Sequence, residues 1–339
     1  MNDDTGRAPL RLRLLSALRK EPDWSALTDR ELAAFRDSAN RTAASRAARV
    51  ITGIPDRGAR IRWQRIALPG RDLPVRVYRP TGRRAGGGAL PLVVHVHGGG
   101  FVGTAAQCDW ANSHLAARLP AVVVSVEHRL LAAGTPISAV VDDGWDVLRH
   151  LVDHAADWGI DPGRAAVAGE STGGLVAALA ARRARDAGLP LRAQVLVNPA
   201  TDLTESMYDY PSVTEHADSP TLTVAKLRLF VRLAVPPGTD RAAMSPLHAG
   251  DLGGLAPALV VVPTVDPVAD HGRRYAERLR AAGTPARLVE YPGATHAFLA
   301  TPGVVPQAKA ARADIAAFLR THLGTTPHPS PSAAEAGER

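Results

Sequence analysis

Between residues 91 and 292 six short apolar runs follow one another: PLVVHVH (91–97), AVVVSVE (121–127), AAVA (165–168), AQVLVNP (193–199), ALVVVPTV (258–265) and ARLVEYP (286–292). No other feature of the chain restricts its fold as much. Runs this short, apolar at nearly every position, suit strands buried on both faces. Helical patterns occupy most of the gaps, at 137–158, 174–185 and 273–282, and another follows the last run at 307–323. A strand, a helix and a parallel strand in repetition imply right-handed crossovers and a sheet covered on both sides. Two earlier runs, IRWQRIAL (61–68) and PVRVYRP (74–80), are expected to pair antiparallel at one end. The expectation is therefore an α/β protein with an eight-stranded, mostly parallel sheet.

Two segments fall outside that alternation. The first fifty or so residues read as helical, with Thr28 and Glu31 spaced as a capping box for a helix running to about Val50. The interval 202–254 is unusually long, and SPTLTVAKLRLFVRLAVPPG (219–238) within it reads as a helix placed where it could lid a site. The expected division is a helical segment at 1–54, a main domain at 55–323 carrying an insert at about 203–254, and a disordered Pro- and Ser-rich tail at 324–339. A chain of 339 residues with 45% hydrophobic content suits one large domain plus such an accessory piece.

The net charge of +7 does not point to nucleic acid, because the basic residues are nearly all arginine, spread along the chain and interleaved with acids. Cys108 is the only cysteine, so neither an internal disulfide nor a multi-thiolate metal site is expected. The opening MNDDTGRAPLRLRLL lacks the apolar core of a secretory signal, and no apolar stretch has bilayer length. These features favour a cytoplasmic chain without a membrane partner, monomeric or homodimeric, with LRLRLL no more than a hint of surface association.

In sheets of this kind ligands gather at the carboxyl ends of the strands. One such end carries VAGESTGG (167–174), in which Gly169, Ser171 and Gly173 spell G-x-S-x-G. That spacing is a sharp strand-to-helix turn presenting a nucleophilic serine, although a serine at a strand end also serves as an ordinary helix cap. HGGGFVG (97–103) follows the third run, and its Gly98 and Gly99 can offer unobstructed N–H groups to a developing oxyanion, with the N–H of Thr172 as a third donor. VDPVAD follows the seventh run and YPGATHAF lies at the end of the eighth, giving the order Ser171, Asp266, His296. Asp270 is the rival acid, but its place at a helix start offers it a structural role. His248, His271 and His322 sit in the insert or on helices, away from the strand ends.

HGGGFVG, GESTGG, DPVAD and HAF together resemble the bacterial hormone-sensitive-lipase-like esterases of the α/β-hydrolase superfamily, whose HGGG, G-D-S-A-G-G, D-P-x-x-D and H-G-F motifs occur in that order. The likeness covers roughly residues 55–323. It implies an α/β-hydrolase fold, a triad of Ser171, Asp266 and His296, oxyanion donors from Gly98, Gly99 and Thr172, and a cap built from the N-terminal helices and the insert. It implies no cofactor and no metal. Glu170 and Thr172 stand where the family has Asp and Ala, and EHRLLAAGTP (127–136) stands where it has D-Y-R-L-A-P-E. The implied function is hydrolysis of short- to medium-chain carboxylic esters through an acyl-enzyme, with Phe101, Trp110, Tyr208 and Phe230 as candidate wall residues. Acyl transfer, cyclisation, or lactone or amide hydrolysis would use the same residues, and a binding protein on this fold is a further alternative.

Overall fold

A computed structural model describes residues 6–18, 21–81 and 88–324. The expected tail at 324–339 lies, apart from Gly324, outside the described residues. All eight expected strands form one sheet: β1 (Ala59–Leu68), β2 (Arg71–Pro80), β3 (Leu90–Val96), β4 (Val122–Val126), β5 (Ile160–Glu170), β6 (Leu191–Val197), β7 (Ala258–Val265) and β8 (Ala286–Thr295), in the order β1-β2-β4-β3-β5-β6-β7-β8. β2 pairs antiparallel with β1 and with β4, and every other pairing is parallel. The helices are α1 (Leu10–Ala17), α2 (Asp29–Ala44), α3 (Arg49–Thr52), α4 (Asp109–Arg118), α5 (Ile137–Asp153), α6 (Thr172–Asp186), α7 (Pro211–Glu215), α8 (Val224–Ala234), α9 (Ala269–Ala281) and α10 (Gln307–Leu323). Among the described residues no helix is long and apolar enough to cross a membrane.

Side-chain alternation divides the core in two. Leu92, Val94 and Val96 of β3 and Val122, Val124 and Val126 of β4 join one cluster with Leu148 of α5, Leu175 of α6 and Tyr275 of α9. Val93 and Val123 face the other side, against Leu115 of α4 and Ile315 and Leu319 of α10. The two-residue period of a strand thus feeds both helical layers at once, which is why these runs carry almost no polar residue.

The structure revises two boundaries. α2 begins on the expected capping box, with Thr28 Oγ1 accepting from Glu31 N and Glu31 Oε2 accepting from Thr28 N. It ends at Ala44 rather than running to Val50, because Ser45 turns extended and its Oγ accepts from Ala48 N at 3.2 Å, capping a new turn. No glycine or proline marks this break in the sequence. In the insert, α8 covers only Val224–Ala234 of the expected helical stretch, with Thr223 as its cap.

The antiparallel end of the sheet is anchored by one buried carboxylate. Asp143 of α5 accepts from Arg71 Nε at 2.9 Å, from the backbone N–H of Arg129 at 2.9 Å and from Arg129 Nη2 at 2.8 Å. It joins the β1–β2 turn to the EHRLLAAGTP segment after β4. Asp143→Ala leaves two arginines without their shared counter-ion and should cost about 3 kcal/mol. Urea unfolding should report a lower midpoint with an unchanged slope.

Candidate active site

The elbow at the end of β5 is built by exclusion of side chains. A Cβ on Gly169 would stand 2.0 Å from the Gly173 carbonyl oxygen, and one on Gly173 would stand 2.0 Å from the Val96 carbonyl oxygen at the end of β3. Only glycine lets the strand, the helix and the neighbouring strand approach this closely. Between them Ser171 takes φ 54°, ψ −116°, with its N–H donating to Val197 O at 2.9 Å. A serine held at positive φ costs of order 1–3 kcal/mol, and the surrounding hydrogen bonds hold it there.

That turn points Ser171 Oγ at His296 Nε2, 2.8 Å away. His296 Nδ1 lies 2.8 Å from Asp266 Oδ2, and Asp266 Oδ1 accepts from Val268 N at 3.0 Å. A carboxylate that accepts from Nδ1 fixes the tautomer whose Nε2 can take a proton from the hydroxyl. Asp266 is fully buried and His296 nearly so. Asp270 is brought elsewhere: it accepts from Ser212 N at 3.0 Å and from Arg273 Nη1 at 2.9 Å. Burial raises its pKa, but these donors outweigh burial and hold it below the ordinary value. His271 is buried, its Nδ1 accepts from Asp202 N at 3.2 Å, and burial pushes its pKa down to about 4, so it is a neutral structural ring at pH 7.

The glycine loop is fixed from both sides. The Gly98 carbonyl lies 2.8 Å from His97 Nδ1 and accepts from Gln107 Nε2 at 3.1 Å. In a trans peptide the next N–H, that of Gly99, points the opposite way. Gly99 itself has φ +87°, and a Cβ there would meet Val102 O at 2.1 Å. From α2, Arg36 donates to Phe101 O and Leu131 O, both at 2.9 Å, and Asn40 Oδ1 accepts from Gly103 N at 2.9 Å. Arg36 and Asn40 are the positioning groups that sequence reasoning missed. A helix-face Arg and Asn carry no motif, and their carbonyl and N–H partners lie more than sixty residues away. The Thr172 hydroxyl packs against Gly100, where a Cβ would come within 2.8 Å of it.

A cavity of about 330 Å³ opens over Ser171 and His296, and Gly98, Gly99 and Thr172 line it. Of the four candidate wall residues, Phe101 and Phe230 line it, whereas Trp110 and Tyr208 do not. Trp110 sits on α4, where it joins the cluster beneath α10 and lies under the Arg312 guanidinium at 3.6 Å. Tyr208 is turned toward Arg228, 4.9 Å from its ring. The helical periods of α2 and α8 instead bring Phe35, Asn40 and Leu227 into the lining, with Trp24 just before α2.

Beneath the elbow, ligand atoms of His95, Cys108 and Glu170 lie within 4.8 Å of one another, all buried. The three groups are hydrogen-bonded within the core. Burial pushes the Cys108 thiol well up, so it stays protonated and donates to Glu170 Oε1 at 3.7 Å, while His95 Nδ1 lies 3.0 Å from Ser125 Oγ.

A serine on a strained strand-to-helix turn, an imidazole and a buried carboxylate in hydrogen-bonded series, and a glycine loop facing them define an α/β hydrolase by fold and site together. The family model described as the alpha/beta hydrolase fold matches residues 93–300, and the chain belongs to that family, among its hormone-sensitive-lipase-like esterases. It is 40% identical to carboxylesterase NlhH of Mycobacterium tuberculosis over 262 residues, 74% of this chain and 79% of the relative. It is 33% identical to an ethyl acetate hydrolase of Pseudomonas putida over 262 residues, 75% of this chain and 80% of the relative. It also matches an ester hydrolase from the metagenome of Lake Arreo, solved with a derivative of bipyridine phosphonate, with a TM-score of 0.82 at 33% identity over 93% of this chain and 98% of that one.

If Arg36 holds the glycine loop in register, Arg36→Ala should lower kcat for a simple aryl ester about tenfold or more, with KM changed less. Arg30→Ala, on the exposed face of the same helix, is the control and should leave both constants unchanged.

Proposed function

We propose that this chain is a serine carboxylesterase acting on small esters with short to medium acyl groups, up to about eight carbons as the family resemblance implies. The single observation that carries the reading is the 2.8 Å contact of Ser171 Oγ with His296 Nε2, continued at 2.8 Å from Nδ1 to Asp266, at the floor of a cavity of about 330 Å³. His296 takes the Ser171 proton as the oxygen attacks the ester carbonyl. The tetrahedral oxyanion is held by the N–H groups of Gly98, Gly99 and Thr172. Collapse expels the alcohol, which receives the proton from His296, and leaves an acyl-serine. Water, deprotonated by the same imidazole, releases the acid and regenerates the serine.

The chamber supports the size limit. Its volume of about 330 Å³ is near the lower end for ligand pockets. Each buried methylene contributes about 0.8 kcal/mol until the space is filled, after which further carbons clash. The relative from Pseudomonas putida is named for a two-carbon acyl ester. Residues of the N-terminal segment (Trp24, Phe35) and of the insert (Leu227, Phe230) both contribute lining, which favours reading the two pieces as one cap. The reading takes the protein as a cytoplasmic monomer or homodimer with a small-molecule ester as its partner.

Rates on aryl esters of increasing acyl length should rise and then collapse beyond about eight carbons; a maximum at long chains would refute the size assignment. On the favoured ester, Asp266→Asn should lose far more turnover than Asp270→Asn, by about 10³-fold or more against a few-fold. The reverse ranking would move the acid to Asp270.

A further inference from the structure

Aromatic residues make up only 4% of this chain, five each of phenylalanine, tryptophan and tyrosine. Four of those fifteen, Trp24, Phe35, Phe101 and Phe230, line the cavity over Ser171. The rest of the core is overwhelmingly valine, leucine and alanine, so an aliphatic wall was available to this sequence at every turn. The aromatic wall is also organised. Trp24 meets Phe35 edge to face, with centroids 5.1 Å apart and planes at 88°, and lies 6.1 Å from Phe101. Its indole has partners at its N–H and beside its ring: Trp24 Nε1 donates to Glu21 Oε2 at 2.7 Å, and Lys226 Nζ, itself bonded to Glu21 Oε1 at 2.6 Å, lies 5.2 Å from the ring centroid. Arg232 of α8 donates to the Trp24 carbonyl at 3.3 Å. Glu21 thus ties the N-terminal segment to α8 through two residues that both line the cavity, Trp24 and Lys226.

Aliphatic walls gain from any apolar substrate in proportion to buried area. Fixed aromatic walls add a geometry-dependent attraction for a second ring, edge to face or offset, that a flexible alkyl chain or a puckered saturated ring does not receive. Pinning Trp24 before the substrate arrives also removes the ordering cost from the binding step. We propose that the substrate of this site carries an aryl ring, seated against Trp24, Phe35 and Phe101, and that Glu21 is the positioning residue that sets Trp24 for it. The proposal rests on the carboxylesterase reading and names the substrate class within it.

The test uses two pairs of esters matched in carbon number, one ring flat and one saturated: methyl phenylacetate against methyl cyclohexylacetate, and benzyl acetate against cyclohexylmethyl acetate. The full-length protein should favour the aryl member of at least one pair by about threefold to tenfold in kcat/KM, expressed mainly in KM; the pair affected tells whether the ring sits on the acyl or the alcohol side. Trp24→Leu should bring that ratio to about one, Trp24→Phe should keep part of it, and Glu21→Gln should lower it through KM with little change in kcat. A ratio of one or less in both pairs for the unaltered protein overturns the proposal, as does a Trp24→Leu protein that keeps the full aryl preference. Turnover without ring preference therefore rejects this inference alone, whereas no turnover of the four esters or of ethyl acetate rejects the esterase reading beneath it.

Discussion

The close approach of three backbones at one point governs the rest of this molecule. The end of β5, the first turn of α6 and the end of β3 meet where Gly169 and Gly173 leave no room for a Cβ. The sheet order puts β3 beside β5, so the glycine loop after β3 and the serine after β5 emerge side by side. Parallel strands in register then carry the carboxyl ends of β7 and β8 to the same edge, and with them Asp266 and His296. Without the strained angles at Ser171 its hydroxyl would follow the helix axis and miss the imidazole. The strain is small beside the packing of the two valine-rich clusters that impose it.

The site is completed from a distance. α2 lies outside the sheet and more than fifty residues before the glycine loop, yet Arg36 and Asn40 bind that loop's backbone directly. α8 enters from a different insertion, and Lys226 and Arg232 join it to the segment carrying Glu21 and Trp24. Hydrogen bonds thus tie α2 to the glycine loop and α8 to the segment before α2.

Much of this was legible in the sequence because the forces involved are local or periodic. Continuous apolar runs located the central strands, since a strand buried on both faces admits few polar residues, and the alternating runs at 61–68 and 74–80 located β1 and β2, which are only partly buried. The glycine spacing around Ser171 located the elbow, since no other residue fits there. The order of Asp266 and His296 placed the remaining partners, and the structure brings the three together within hydrogen-bond distance. The cavity wall was not legible in the same way. Trp110 and Tyr208 look as eligible as Phe101 and Phe230 in sequence, and only the pairing of helices with faces of the sheet sends Trp110 beneath α10. α4 carries a weak helical pattern and went unread, and the break of α2 at Ser45 depends on a single serine hydroxyl. Arg36 reaches Phe101 and Leu131, and Glu21 reaches Lys226, across stretches of chain that no local window contains.

The central claim is that Ser171 is a nucleophile activated by His296, and covalent labelling measures that without any assumption about the natural ester. A serine-directed phosphonate should add once to the folded protein, with the mass increment on the peptide containing Ser171, no adduct on Ser171→Ala, and a rate of labelling reduced by about 10³-fold or more in His296→Ala. Labelling that persists in folded Ser171→Ala, or that proceeds equally fast without His296, would contradict the account.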